Sequence, residues 1–159
     1  MNKEQSNIVQ IYIAFIVAII MNFVPSTAVQ ALGGILLLLI VIATYIYRAR
    51  ADKKSLTFGH MAYLIQSFWI SSLLLLIGIF AAYLLGDHTI INNTVDRVMG
   101  GMMMTEEQLD AIMMNYLRTN FMVFSLTISP SLIYLTYRVV KGLLLAKDGK
   151  NINKPKSWL

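Results

Sequence analysis

The chain has 159 residues, of which 57% are hydrophobic and 13% are charged, whereas a soluble domain has roughly 45–50% apolar and about 25% charged residues. This composition excludes an ordinary cytosolic globular protein and indicates a polytopic membrane protein. There is no cysteine, which excludes disulfides, zinc–thiolate sites, iron–sulfur clusters and thiol nucleophiles. The net charge of +5 indicates membrane topology rather than nucleic-acid binding, because Lys and Arg collect on the cytoplasmic side of membrane proteins.

Four apolar runs predict four membrane-spanning helices, because a helix needs ~20 apolar residues to cross a bilayer. The first run also fits a cleaved signal peptide, but we expect it to be a retained span. The last run contains Pro130, which we expect to kink the helix while nearby Ser and Thr hydroxyls bond the freed carbonyl groups. The predicted spans are residues 8–24, 28–47, 61–85 and 117–137.

The distribution of charge predicts the orientation of these spans. Eleven of the 13 Lys and Arg residues lie in the N-terminal segment, the loop after the second span and the C-terminal tail, together with three of the eight Asp and Glu residues. The positive-inside rule places these three segments in the cytoplasm. We therefore predict an all-α, integral membrane four-helix bundle, a single domain with both termini cytoplasmic, a long outer segment at residues 86–116 and a basic tail at residues 138–159.

Six of the ten methionines lie within residues 99–114 of the outer segment. Thr105 and Gln108 have capping-box spacing, which predicts that a helix begins at Thr105. Three interpretations stay open: an amphipathic segment lying at the outer membrane interface, a docking site for another subunit, and a soft-metal site that would select Cu(I). The candidate docking residues are Met99, Met102, Met103, Met104, Met113 and Met114.

The third predicted span carries small residues at every fourth position, namely Gly78, Ala82 and Gly86. Small residues at this spacing let two helices approach closely. We favour packing within this chain's own bundle over packing against a partner chain.

The motifs of common enzymes are missing from the sequence. There is no serine-hydrolase, zinc-protease, P-loop or dinucleotide-binding pattern. His60 and His88 would lie about 40 Å apart across the third span, so they form no common metal site. No Asp, Glu, Lys or Arg lies in the middle of a predicted span, which argues against pump chemistry but not against a simple pore. We expect no enzyme activity, no catalytic residue, no cofactor, no resident metal and no nucleic-acid partner.

Two separated stretches resemble a known group. The first is HMAYLIQSFW at residues 60–69, which opens the third span, and the second is YRVVKGL at residues 137–143, followed by Asp148-Gly149-Lys150. Together they resemble small proteobacterial membrane proteins of unknown function, the Tic-twenty-like group, labelled after a subunit of the chloroplast inner-envelope translocon. The group has an arginine where this chain has Gln66. The resemblance implies a multi-pass protein of the bacterial inner membrane and no particular chemistry.

We expect the residues of these two motifs to anchor and pack the cytoplasmic ends of the spans, with a site for lipid headgroups or a partner as the alternative. Tyr134, Tyr137 and Arg138 should form an interfacial belt, with His60 in contact with the region of Tyr137 and Arg138. The last helix should continue beyond Tyr137 and end at Gly149, placed as a C′ glycine. The candidate residues are His60, Tyr63, Gln66, Trp69, Tyr137, Arg138 and Lys141.

The first functional hypothesis is a non-catalytic accessory or assembly subunit of a larger inner-membrane complex. The second is a translocation or permeation component that acts as an oligomer, because four helices this apolar leave no polar lumen of their own. The third is copper handling by the methionine segment. The expected partners are the lipid bilayer and either another membrane protein or further copies of this chain.

Overall fold

The computed structural model describes residues 2–24 and 26–152, and over these residues the chain is helical with short connections and no strand. The helices are α1 Lys3–Met21, α2 Thr27–Arg50, α3 Leu56–Leu85, α4 Thr89–Met99, α5 Glu106–Thr119 and α6 Phe121–Lys147. By length and composition, α1, α2, α3 and α6 are able to cross a membrane. The predictions of an all-α chain and of four such helices are confirmed.

The helices extend beyond the predicted spans, because hydropathy detects only the apolar part of a helix. α1 already begins at Lys3, where the Asn2 side chain accepts a hydrogen bond of 2.8 Å from the Gln5 N–H group. The last candidate span, α6, starts at Phe121, whereas the predicted span starts at residue 117, and it continues beyond Tyr137 to Lys147, as predicted. The predicted basic tail is therefore largely helical as far as Lys147, and its residues beyond Ile152 lie outside the described residues.

Two local expectations are confirmed, together with the hydroxyl bond expected beside Pro130. Thr105 and Gln108 form a complete capping box at the start of α5. Gly149 has a φ of 66°, and bonds from Gly149 N–H to Ala146 O and from Lys150 N–H to Leu145 O end α6 in a Schellman motif. Pro130 cannot bond the Leu126 carbonyl, and the Ser129 hydroxyl donates to that oxygen at 3.3 Å instead.

The chain divides into two compact units, and α3 and α6 each contribute one part to both. The first unit comprises residues 1–72 and 133–159. Its α2 packs closely on the end of α1, since a Cβ atom on Gly33 would lie 2.9 Å from the Cβ of Met21. The buried apolar core of this unit includes Ile8, Tyr12, Phe15, Ala18, Ile40, Val41, Met61, Leu64, Val139 and Ala146.

Large apolar side chains also cover the outer surface of α2. Five of them are each more than half exposed, which would be unfavourable in water but is ordinary where lipid tails surround a helix. These residues are Leu32, Ile35, Leu38, Leu39 and Ile42.

The second unit is Leu73–Leu132, in which α3 and α6 approach each other at the small residues of α3. A Cβ atom on Gly78 would lie 3.0 Å from the carbonyl carbon of Thr127, so α6 occupies the space that a side chain would need. Ala82 is buried, and a Cβ atom on Gly86 would lie 3.0 Å from the side-chain oxygen of Asn120. All three small residues therefore pack within this chain.

Asn120, between α5 and α6, holds the end of α3 through its side-chain amide. Its oxygen accepts from the Asp87 N–H at 2.7 Å, and its nitrogen donates to the carbonyl oxygens of Asp87 and Tyr116, both at 3.1 Å. Asn120 is buried, so these bonds form away from water. Asp87 itself precedes α4, where hydrogen bonds from the hydroxyl and N–H groups of Thr89 hold the pKa of its carboxyl below the usual value.

Replacing Asn120 by leucine should destabilise the protein. The Asn120→Leu variant keeps the side-chain volume but removes three hydrogen bonds, which should lower the free energy of unfolding by about 2–3 kcal/mol. Thermal unfolding in detergent measures this loss. The matched control is Asn93→Leu at an exposed position of α4, and equal melting temperatures for the two variants would contradict this role of Asn120.

Candidate functional site: a buried arginine and its aromatic partners

Arg138 is the largest fully buried side chain among the described residues. Its guanidinium carbon lies 3.7 Å from the centroid of the Tyr63 ring and 5.8 Å from that of Tyr134. Its Nε donates a hydrogen bond of 3.1 Å to the hydroxyl oxygen of Ser67. All four residues belong to the first unit, with Tyr63 and Ser67 on α3 and Tyr134 and Arg138 on α6.

The helical repeat explains why these four side chains meet. Tyr63 and Ser67 are four residues apart on α3, and Tyr134 and Arg138 are four residues apart on α6, so each pair shares one helix face. Ser67 donates its hydroxyl hydrogen to the Tyr63 carbonyl at 2.7 Å, which leaves its oxygen lone pairs facing Arg138. The small serine side chain also provides room for the guanidinium plane.

These contacts compensate the buried positive charge of Arg138. An unpaired buried charge is very costly, whereas a desolvated cation over an aromatic face gains about 2 kcal/mol or more. The hydrogen bond to Ser67 adds a charge-assisted interaction. Arg138 therefore links α3 to α6 through both its charge and its shape.

Two tyrosine hydroxyl groups beside Arg138 are buried and have no hydrogen-bond partner among the described residues. These are the hydroxyls of Tyr63 and Tyr134. Burying such a group without a partner costs about 1–3 kcal/mol. A buried cation with two spare hydroxyl donors next to it is a polar cluster that can bind water or an anionic group. We call Tyr63, Ser67, Tyr134 and Arg138 the arginine cluster.

A second polar contact in the same unit joins α1 to α3. The hydroxyl of Tyr12 lies 3.2 Å from Nδ1 of His60, and Nε2 of His60 lies 3.1 Å from the carbonyl oxygen of Lys150. Because a carbonyl oxygen only accepts, Nε2 carries the hydrogen, and Nδ1 accepts from Tyr12 in the neutral ring. His60 thereby connects α1 to the turn that follows α6.

The Tyr12 ring lies directly against the backbone of α6 at Gly142. A Cβ atom on Gly142 would lie 2.6 Å from two of the ring carbons, so only glycine fits there. Nearby, the Gln5 side chain donates to the carbonyl oxygens of Ala146 and Lys147 at 3.0 and 2.6 Å, and Glu4 accepts from the N–H and hydroxyl groups of Thr57. The beginning of α1 is thus bonded to both α3 and α6.

The structure separates the predicted motif residues into two groups. His60, Tyr63 and Arg138 are buried, and Gln66 and Lys141 are half-buried. Trp69 is 57% exposed and donates to the Tyr45 hydroxyl at 2.7 Å, and Tyr137 is 50% exposed and accepts from Lys141 at 3.1 Å. Only the first group contributes to the interior of the unit.

One expectation about Arg138 needs correction. It does not join Tyr137 in the expected interfacial belt, because its side chain is fully buried whereas Tyr137 is exposed. It belongs to a helix that is long and apolar enough to cross a membrane, because α6 runs from Phe121 to Lys147. The hydrogen bonds of the His60 ring are made with Tyr12 and Lys150.

Tyr12, Ser67, Tyr134 and Gly142 were not among the predicted site residues. Tyr12 continues the buried face of α1, with Ile8 one turn before it and Phe15 one turn after it, and this spacing is visible in the sequence. The requirement for glycine at position 142 is not visible, because it depends on which ring packs against the backbone.

The methionine segment, residues 99–114, presents its side chains outward in the second unit. Met99, Met102, Met103, Met113 and Met114 are exposed, with Met103 at 98%. Met104 is half-buried and lines a cleft of about 290 Å³ together with Met102, Arg97, Gln108, Ala111 and Ile112. Among the described residues, no group of three or more His, Cys, Asp or Glu side chains is placed to hold a metal ion.

Comparisons with protein-family models, curated proteins and solved structures find no match to this chain. The resemblance to the Tic-twenty-like group therefore stays a prediction from the two motifs.

Substituting alanine at Gly142 should destabilise the first unit. The added methyl group of Gly142→Ala would overlap the Tyr12 ring, which should lower the free energy of unfolding by about 1–3 kcal/mol. The matched control is Gly34→Ala on α2, where an added Cβ atom meets nothing within 4 Å and the better helix propensity of alanine should stabilise by up to about 1 kcal/mol. Unfolding in detergent measures both variants, and a Gly142→Ala variant as stable as the Gly34→Ala variant would refute the packing argument.

Proposed function

We propose that the chain is a non-catalytic integral membrane protein and acts as an accessory or assembly subunit of a larger membrane complex. The observation that carries this proposal is the exposed methionine segment between α3 and α6. Met99, Met102 and Met103 are 82%, 56% and 98% exposed, and they belong to no helix that could cross a membrane. Large exposed apolar patches outside lipid are typical of interaction sites, and methionine adapts well to a partner's surface.

The proposed location is a bacterial inner membrane, with both termini in the cytoplasm and residues 86–116 outside. Its support is the charge distribution, since residues 86–120 contain two of the 13 Lys and Arg residues but five of the eight Asp and Glu residues. In this orientation the methionine segment would meet a partner on the outer face of the membrane.

The second candidate is a translocation or permeation component that acts as an oligomer. The arginine cluster favours it, because ionisable residues within spanning helices commonly mark substrate or ion pathways. In this function Arg138 would attract an anionic group, and the hydroxyls of Tyr63 and Tyr134 would bond it. A pathway would require several copies, since much of the surface of α2 is apolar and exposed.

Recovery of partners in mild detergent tests the first proposal. We expect the tagged full-length protein at native expression level to co-purify with a larger membrane protein in a fixed ratio. A triple variant that replaces Met99, Met102 and Met103 by Gln should lose most of that partner, because each 1.4 kcal/mol of lost binding energy costs about a factor of ten in affinity. A control variant with Glu106→Gln and Glu107→Gln changes exposed residues of the same segment and should retain the partner.

Recovery of the wild-type protein alone, or only with further copies of itself, would contradict the subunit proposal. Liposome flux then tests the second candidate. Wild-type oligomers should pass small anions, and an Arg138→Gln variant that remains folded should pass them at a lower rate. Equal fluxes for these two proteins would contradict the permeation candidate as well.

A further inference from the structure

A cleft of about 760 Å³ lies in the second unit where α5 ends and α6 begins. It is lined by Met114, Asn115, Leu117, Arg118 and Phe121. Its volume lies within the range of ~300–1,000 Å³ that is usual for small-molecule sites. One part of its wall belongs to α5, which is too short to span a membrane, and Phe121 belongs to α6, which is long and apolar enough to do so. The cleft is thus located at the end of a candidate span.

The lining of this cleft combines apolar walls with one cation. Met114, Leu117 and Phe121 are each 44% exposed or more, and Arg118 is the one charged lining residue. No hydrogen bond or ion pair joins the Arg118 side chain to another residue of the described chain. Its guanidinium group is therefore available to an external anion, and the Asn115 amide can donate a hydrogen bond beside it.

This combination fits an amphiphile with an anionic head. The apolar surface continues from the cleft along α6, where Met122 is 77% exposed. If α6 crosses a membrane, the hydrocarbon of the bilayer would lie in this direction. Arg118 belongs to α5, which precedes the candidate span α6 in the chain, and a cation beside the end of a span is suited to the phosphate groups at a membrane surface. Arginine binds phosphate oxygens with two parallel hydrogen bonds, which gives geometric selectivity as well as charge attraction.

We propose that this cleft binds one anionic phospholipid, with its phosphate on Arg118 and one acyl chain against Leu117 and Phe121. Among common membrane lipids, phosphatidylglycerol combines a net negative charge with a headgroup that donates further hydrogen bonds. A bound lipid would fill the space between the end of α5 and the start of α6. Met114 would then contact lipid, whereas Met99, Met102 and Met103 would remain accessible to a protein partner.

Native mass spectrometry of the purified full-length protein tests the site. Phosphatidylglycerol added in a non-ionic detergent should give a single saturable adduct, and phosphatidylcholine, which has no net charge, should give a much weaker one. The Arg118→Gln variant should bind phosphatidylglycerol about tenfold more weakly, because one charge-assisted contact is lost. The matched control, Arg97→Gln, removes the other arginine of residues 86–120 and should bind like the wild type.

Two further measurements separate a lipid site from a phosphate site. Glycerol phosphate, which has the anionic group but no acyl chains, should not displace the lipid. The Leu117→Trp variant keeps the charge but fills the cleft, and it should also reduce the adduct. Equal phosphatidylglycerol binding by wild type and Arg118→Gln, equal losses for Arg97→Gln and Arg118→Gln, or displacement by glycerol phosphate would each overturn the proposal.

Discussion

The first unit depends on one buried cation, the guanidinium group of Arg138. Tyr63 stacks on this group at 3.7 Å and Ser67 accepts its Nε hydrogen, so a charge that water would otherwise solvate is compensated by α3. Desolvation makes such a contact sensitive to geometry, since each displaced partner leaves part of the charge unpaired. The separation and register of α3 and α6 in this unit are therefore constrained by a polar contact as well as by apolar packing.

The contacts around Tyr12 reinforce this constraint from α1. Tyr12 packs on the backbone at Gly142 and bonds His60, which in turn bonds the turn after α6. Because Gly142 follows Arg138 by four residues, the same face of α6 meets α3 at one turn and α1 at the next. Apolar side chains alone would allow these helices to slide, whereas bonded polar groups permit few alternative registers.

Local features of this chain were predictable, and tertiary ones were not. The capping box at Thr105 and the glycine stop at Gly149 depend on a few neighbouring residues, so their spacing in the sequence is sufficient. The burial of Arg138 depends on Ser67 and Tyr63, which are about seventy residues away in the chain, and hydropathy alone treats an arginine at the end of an apolar run as the end of a span. The hydrogen bonds between the Asn120 side chain and the Asp87 backbone were not predictable either, because they join residues that are distant in the chain. In the sequence, an asparagine between two helices resembles an ordinary helix cap.

The two units carry different features that bear on function. The first unit contains a cation beside two buried tyrosine hydroxyls that have no hydrogen-bond partner among the described residues. The second unit presents exposed methionines and a cleft lined by Arg118. The helix contacts at Gly78 and Asn120 would hold the methionine segment and the cleft in place for a partner or a lipid. In this account the buried arginine is foremost a structural requirement of the fold.

A double-mutant cycle between Arg138 and Tyr63 tests that claim most directly. Reversible unfolding in mixed micelles would be measured for wild type, Arg138→Met, Tyr63→Leu and the double variant. If the guanidinium–ring contact holds α3 against α6, the two substitutions should be coupled by about 1–2 kcal/mol. Effects that add to within ~0.3–0.5 kcal/mol would show that the two residues are independent, and that the first unit does not depend on this contact.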